Sequence, residues 1–157
     1  MFKNIAFVGG IHGVGKSTIC KKICDELNIT YLSASDVLKW KAIKKNYKDK
    51  KVEDIPYTQN QLILGLKGLI KDNQYYLLDG HFCLWDKQNN ISKIPKEVFQ
   101  EINPLCLSVV IDEVSEIKNR LERRDNLPYV YTKLEEMQLS EIEHAKTIAS
   151  HLKTSFF

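Results

Sequence analysis

The octapeptide Gly10-Ile-His-Gly-Val-Gly-Lys-Ser17 constrains this chain more than any other stretch, because it meets G-x-x-x-x-G-K-[ST] at every fixed position. Ile5-Ala-Phe-Val8 precedes it as an apolar run suited to a buried strand. Thr18-Ile-Cys-Lys-Lys-Ile-Cys-Asp-Glu-Leu27 follows with apolar residues at helical spacing. Strand, glycine-rich loop and helix in that order make a phosphate cradle. Glycines let the backbone wrap a polyphosphate without Cβ clashes and turn its N–H groups inward, and the helix N-terminus adds roughly half a positive charge at the same point. Gly10, Gly13, Val14, Gly15 and Thr18 are expected to hold a nucleoside triphosphate. Lys16 would reach its β and γ phosphates, and the Ser17 hydroxyl would bind Mg²⁺.

Two later strands end in a carboxylate, so two residues compete for the place opposite Ser17. Tyr75-Tyr-Leu-Leu-Asp79-Gly80 is a continuous apolar run of the kind buried on both faces of a parallel sheet, and Leu105-Cys-Leu-Ser-Val-Val-Ile111-Asp112 is another. Ligands of open α/β sheets bind at the carboxyl edge of such strands. Asp79 runs into Gly80 and a polar loop, which leaves it open to Mg²⁺. Asp112 opens directly into Glu113-Val-Ser-Glu, where it suits an N-cap, and Asp79 is the favoured metal residue.

The remaining segments alternate. Asn28–Ser33 reads as a second strand, and Ser35 with Asp36 as the cap of a helix from about Val37 to Tyr47. Thr58 can cap a further helix through Ile70. His81 to Pro95 reads as irregular, followed by helices at 95–102, 113–124 and 132–152, the last with Leu134, Met137, Ile142, Ala145, Ile148 and Ala149 as its apolar side; 154–157 reads as a fifth strand. The expected architecture is α/β: five parallel strands with helices on both faces, in one domain spanning 1–157. At 157 residues and 43% hydrophobic content the chain can bury a sufficient core. No run approaches the ~18 apolar residues of a membrane span, and the N-terminal residues lack a secretion-signal pattern. A cytoplasmic protein with reduced core thiols at Cys20, Cys24, Cys83 and Cys106 is expected.

The net charge of +3 does not by itself call for nucleic acid, but seven lysines crowd into 39–51 with Trp40 and Tyr47 among them. Trp40, Ile43 and Tyr47 recur as the stripe of a solvated helix; the alternative is a segment facing phosphate or RNA. A second basic cluster, Arg120-Leu-Glu-Arg123-Arg124, ends a helix. The helix dipole accounts for one arginine more readily than for three, and Arg120 and Arg124, four residues apart on one face, suit a clamp on a transferring phosphoryl group. Asp125-Asn-Leu-Pro-Tyr129 would then be a mobile edge closing over the nucleotide, a short arginine lid of about 120–131. Asp36 and Lys39, one helical turn apart beyond the second strand, and His81, just past Asp79, are candidates to meet the acceptor. His12 lies near phosphate with no further role; His144 and His151 are expected to be solvated or capping.

With these residues assembled, the chain resembles the nucleoside monophosphate kinases with their P-loop, and most closely the compact archaeal-type adenylate kinases and adenylate-kinase-like proteins. Gly10–Thr18 matches the family's loop. Leu32-Ser-Ala-Ser-Asp36-Val-Leu-Lys39 is similar to its strand-to-helix junction at the acceptor, and Leu77-Leu-Asp-Gly-His81 to its Asp-x-His strand end. Ile102-Asn-Pro-Leu105 and Arg120–Asp125 are similar to its asparagine-proline strand and arginine lid. Lys39 stands where bacterial adenylate kinases carry arginine. The resemblance implies a three-layer P-loop NTPase fold and Mg²⁺-dependent transfer of the γ-phosphoryl of ATP to a nucleoside monophosphate or nucleoside, with an acceptor-binding segment at about 34–72. Lys16, Asp79, Arg120 and Arg124 would carry the chemistry. Two other readings use the same loop: an ATPase switch that binds RNA or a protein through the lysine-rich segment, and a kinase of RNA ends or of a small-metabolite hydroxyl with Asp36 as base.

Overall fold

The computed structural model of the protein describes residues 2–45 and 55–157, with side chains placed for all of these except 40–45 and 55–57. In chain order the elements are β1 (Ile5–Gly9), α1 (Lys16–Leu27), β2 (Thr30–Ser33), α2 (Ala34–Lys45), α3 (Ile55–Leu69), β3 (Tyr76–Asp79), β4 (Cys83–Trp85), β5 (Ile91–Lys93), α4 (Lys96–Ile102), β6 (Cys106–Val109), α5 (Val114–Asp125), α6 (Tyr131–Leu152) and β7 (Ser155–Phe156). Among the described residues, five strands form one parallel sheet in the order β2-β3-β1-β6-β7. The chain leaves β1 toward one edge of the sheet, returns through β3 and crosses to the other side at β6. The reversal of direction falls beside β1, where a ligand crevice opens in this class of sheet.

Both faces of the sheet are covered, which is why its strands read as unbroken apolar runs. Alternate residues part company: Val8 and Leu77 meet Cys20 and Cys24 of α1 on one face. Ile5, Phe7, Tyr76 and Leu78 join the larger core on the other, with α3, α4 and α6. That core holds an aromatic triad beneath the carboxyl edge. Phe7 meets Phe82 and Phe99 edge-on, at 5.0 and 5.2 Å between centroids, and Phe82 stacks on Phe99 at 5.2 Å. Phe82 and Phe99 are essentially unexposed, and each contributes about 1.5–3 kcal/mol by burial.

Three expected boundaries move. Helix α2 starts at Ala34, and its cap is Ser33, whose Oγ accepts the Asp36 N–H at 3.1 Å, in place of Ser35 with Asp36. Helix α3 starts at Ile55, before Thr58, because Pro56 is tolerated in a first turn that needs no N–H from it. The segment after His81 is an antiparallel hairpin, β4 with β5, pairing Cys83 with Lys93 and Trp85 with Ile91. Three-residue strands are too short to show a period in sequence. His144 is buried and lies 2.7 Å through Nε2 from the Ile94 carbonyl, so it is neither solvated nor a cap. His151 is exposed, 3.0 Å from Gln100. Of the lysine-rich run, Lys39–Lys45 forms the end of α2, while the side chains of 40–45 and all of 46–51 lie outside what is described, and with them the Trp40, Ile43 and Tyr47 stripe and the RNA-facing reading. No described helix is long and apolar enough to cross a membrane.

Candidate functional site

The loop between β1 and α1 turns through three positive-φ glycines: Gly10 (145°), Gly13 (83°) and Gly15 (86°). At Gly13 the need is twofold, since a Cβ would also stand 2.6 Å from Leu121 Cγ of α5. Gly15 is the N-cap of α1 and brings no capping side chain, so the first N–H groups of the helix keep their hydrogen-bonding capacity. A Cβ at Gly15 would meet nothing within 4 Å, so the loop faces open space on that side.

Lys16 and Asp79 meet across that space. The lysine is buried, its Nζ lies 2.9 Å from Asp79 Oδ1, and it also donates to the Gly80 carbonyl. Parallel register sets the pair: Val8 of β1 stands beside Asp79 of β3, and Asp79 beside Ser33 of β2. The Tyr31 hydroxyl, from β2, donates to Asp79 Oδ2 at 2.8 Å. Burial first, then the hydrogen bond to Asp79 and its charge, push the Tyr31 phenol up and keep it a donor. Burial, with Asp79 behind it, pushes the Cys20 thiol up to about 12. Asp112 has a different neighbourhood: it is exposed, its Oδ1 accepts the Glu113 N–H at 2.8 Å, and its Oδ2 takes Arg120.

Lys16, Asp79 and Tyr31 line a cavity of about 400 Å³ that runs from the loop past Ser33–Ser35 and Asp79–His81 to Arg120 and Arg124. Of the residues expected from sequence, Gly13, Gly15, Lys16, Ser17, Asp79, His81, Arg120 and Arg124 share this cleft. Val14 is in the core, and Thr18, exposed in the first turn of α1, is off the wall. Gly10 also stays off it, beside the Val110 carbonyl. Arg123, Asp36 and Lys39 are exposed and do not line the cleft. Arg124 forks onto Asp125 through Nε at 2.7 Å and Nη2 at 2.9 Å, and the Tyr129 hydroxyl donates to the same carboxylate. Those bonds, Arg124 first, hold Asp125 down at about 2.

Three residues of the site were not singled out in sequence, or were given no role: Tyr31, His12 and Glu141. The His12 ring tilts over His81 at 4.5 Å between centroids. Desolvation by the surrounding protein, then His81, Lys16 and Arg124, lower His12 to about 4; its exposed edge at the mouth of the cleft limits the first of these effects. Glu141 comes from α6 and has no exposed surface. Its Oε2 accepts the Phe82 N–H at 2.9 Å and its Oε1 the Cys83 N–H at 3.4 Å, and Oε1 lies 3.5 Å from His81 Nδ1. A hydrophobic tally of α6 passes over a glutamate. Its partners are main-chain groups sixty residues away, which no spacing rule reaches.

The chemistry of the donor set suits a magnesium triphosphate. Ser17 and Asp79 offer hard oxygens of the kind Mg²⁺ prefers, and Lys16, Arg120 and Arg124 supply the countercharge for an anion on the glycine loop. The sequence profile of a family described as AAA domain matches residues 9–138. No curated protein matches the sequence. Among solved structures, a shikimate kinase from Acinetobacter baumannii in complex with shikimate is similar at a TM-score of 0.54 and 15% identity, covering 100% of this chain and 83% of that one. A gluconokinase from Sinorhizobium meliloti 1021 is similar at 0.48 and 10% identity, covering 99% and 82%. At such identities the likeness is one of fold, the five-stranded α/β P-loop arrangement.

Proposed function

The chain belongs to the AAA domain family, and from that premise we propose that it is an ATP-dependent phosphotransferase acting on a small molecule, a nucleotide or nucleoside by its resemblance to the adenylate kinases. The observation that carries the reading is the buried Lys16–Asp79 pair at the foot of the glycine loop, facing Arg120 and Arg124 across one cleft. Phosphoryl transfer asks a protein for positioning and positive charge and for little covalent help.

In this reading residues 1–157 work as one domain. Backbone N–H groups from Gly13 to the start of α1, with Thr18, would hold the triphosphate, and Ser17 and Asp79 would hold Mg²⁺, Asp79 through water. The metal, when bound, neutralises charge on the β and γ oxygens. Lys16 stays fixed by Asp79 and the Gly80 carbonyl, so its ammonium needs no reorganisation when charge develops on the γ-phosphoryl. Arg120 leaves Asp112, and Arg124 leaves Asp125, as segment 120–131 closes as a lid and excludes water. Both pairs are exposed, so exchanging a carboxylate for a phosphate costs little. His81, on the cleft wall, would face the acceptor, with Asp36 and Lys39 of the acceptor-binding segment at about 34–72. Unpaired cysteines at 20, 24, 83 and 106 favour a reducing compartment such as the cytoplasm.

Lys16→Ala tests the reading. Transfer of labelled γ-phosphate from ATP should disappear, while a cooperative unfolding transition remains. Full activity in that variant overturns the assignment.

A further inference from the structure

A second cavity, of about 180 Å³, opens beside the phosphate cleft between β4 and the start of α6. Its own walls are Cys83, Leu84, Trp85, Tyr129, Leu134 and Met137. The two cavities share Ile11, His12, His81, Leu121 and Arg124, so the tilted His12–His81 pair stands on the wall between them. The size is informative: an apolar cavity of about 150 Å³ holds one benzene ring. The side chains are informative too. Trp85 and Tyr129 are aromatic side chains of the kind that pack against a planar ring, and Leu84, Leu134 and Met137 offer aliphatic and thioether contact.

Charge narrows the occupant further. Among the described residues, Arg124 is the only Lys, Arg, Asp or Glu on this wall, and it is shared with the phosphate cleft, where the lid reading commits it to the transferring phosphoryl group. His12, lowered to about 4, brings no charge near neutrality. A phosphate monoester seated here would lack the paired forks that such a dianion needs, and one lying in the adjoining cleft would compete with the triphosphate for Lys16, Arg120 and Arg124.

Position tells acceptor from donor. A triphosphate on this loop has its α and β phosphates on the backbone N–H groups of the glycines and the helix start, and its γ end toward Lys16 and the Mg²⁺ that Ser17 would hold. The second cavity touches the loop only at Ile11 and His12, before the glycines that lead into the helix. It therefore adjoins the γ end, where an acceptor belongs.

We propose that this cavity seats a single planar, uncharged ring of the phosphoryl acceptor, and that the acceptor is a neutral alcohol carrying that ring, with its hydroxyl reaching the cleft past His12 and His81. The inference rests on the phosphotransferase reading. It selects a neutral hydroxyl acceptor, such as a pyrimidine nucleoside, over a nucleoside monophosphate. In the step itself the hydroxyl oxygen bonds to the γ phosphorus and the bond from that phosphorus to the β–γ bridging oxygen breaks. ADP leaves with the electron pair, and the hydroxyl proton passes late to a phosphoryl oxygen, which balances charge and atoms.

The test uses the full chain with uridine and 3-hydroxymethylpyridine as neutral probes and UMP and AMP as charged comparators. Binding is read by calorimetry, transfer by release of ADP, and ATP binding by titration with a fluorescent ATP analogue. Neutral probes should bind and accept phosphate at least tenfold better than UMP or AMP. Trp85→Ala should weaken their binding tenfold or more, and Trp85→Phe should restore it to within threefold, a rescue that a merely structural role for Trp85 would not show. Failure of both neutral probes to bind, tighter binding of UMP or AMP, or indifference to Trp85→Ala overturns the inference while leaving the phosphotransferase reading in place. Loss of ATP binding in the unaltered protein overturns the phosphotransferase reading, and neutral-probe binding without ATP still decides the cavity's occupant.

Discussion

Glu141 is the residue whose replacement should reveal most about how the site is held. It is wholly buried, and two of its contacts are the main-chain N–H groups of Phe82 and Cys83, which a side-chain substitution cannot remove. Glu141→Leu keeps the volume and the helix but orphans both donors. Each buried unsatisfied donor costs about 1–3 kcal/mol, so the pair predicts a loss of about 2–6 kcal/mol before the added apolar burial of leucine returns some of it. Taking about 3 kcal/mol net and a urea slope near 2 kcal/mol/M, the unfolding midpoint should fall by about 1.5 M with the slope unchanged. Glu141→Gln retains one acceptor oxygen and turns a donor toward the second N–H, so its midpoint should fall by roughly half as much. Urea titration followed by circular dichroism and by tryptophan fluorescence measures both. A leucine variant as stable as the unaltered protein, or a glutamine variant as damaged as the leucine one, refutes the view that Glu141 acts through these two donors.

Two further predictions follow from the loop and its neighbours. Gly13→Ala adds a Cβ 2.6 Å from Leu121 Cγ at a φ of 83°, so ATP-analogue affinity should drop by at least tenfold. The double variant Gly13→Ala with Leu121→Ala should recover only part of it, because the second change relieves the clash and leaves the backbone strain of about 1–2 kcal/mol. Wild-type affinity in Gly13→Ala contradicts the geometry. The second concerns acid. Asp125 is depressed from 3.8 to about 2 by Arg124 and Tyr129. Its ionised form is favoured by folding, so its contribution is complete above the ordinary value and is lost as pH falls from about 4 through about 2. The difference in urea midpoint between the unaltered protein and Asp125→Asn should be constant above that window, shrink within it, and shrink also at high salt because the pair is exposed. A difference independent of pH down to 2 would sink the assignment.

Sequence reasoning reached far along this chain where the physics is local or periodic. The glycine loop, the Asp79 end of β3 and the amphipathic helices all depend on near neighbours, while β6 stops at Val109, short of the expected Asp112. The sheet, α4 with its Asn103 cap and the long final helix accordingly stand close to where periodicity predicts them. What escaped depends on distant partners. Ser33, and not Ser35, caps α2 because the strand ends one residue before the helix and leaves that hydroxyl beside the Asp36 N–H. Glu141 looks like a solvent residue until the β3–β4 junction is folded against it. Tyr31 becomes part of the site only because parallel pairing brings β2 alongside β3. Asp36 and Lys39 show the converse, a spacing that suited an acceptor on residues that stand off the cleft wall.

The position of β1 at the middle of the sheet has a consequence for how the protein is made. Strand β1 leaves the ribosome with both of its partners far downstream, since Ile5–Val8 pairs with Tyr76–Asp79 and Ala6–Gly9 with Cys106–Val109. At roughly 5–20 residues per second, synthesis reaches the second partner only about 5–20 s after β1 has emerged. Until β3 emerges this apolar segment has two open hydrogen-bonding edges, and one stays open until β6 follows, able to pair with the same segment on a neighbouring nascent chain. The strand that presents the phosphate loop is thus also the one most exposed to misassembly at birth, and slow translation or a trigger-type chaperone would act on it before any nucleotide could.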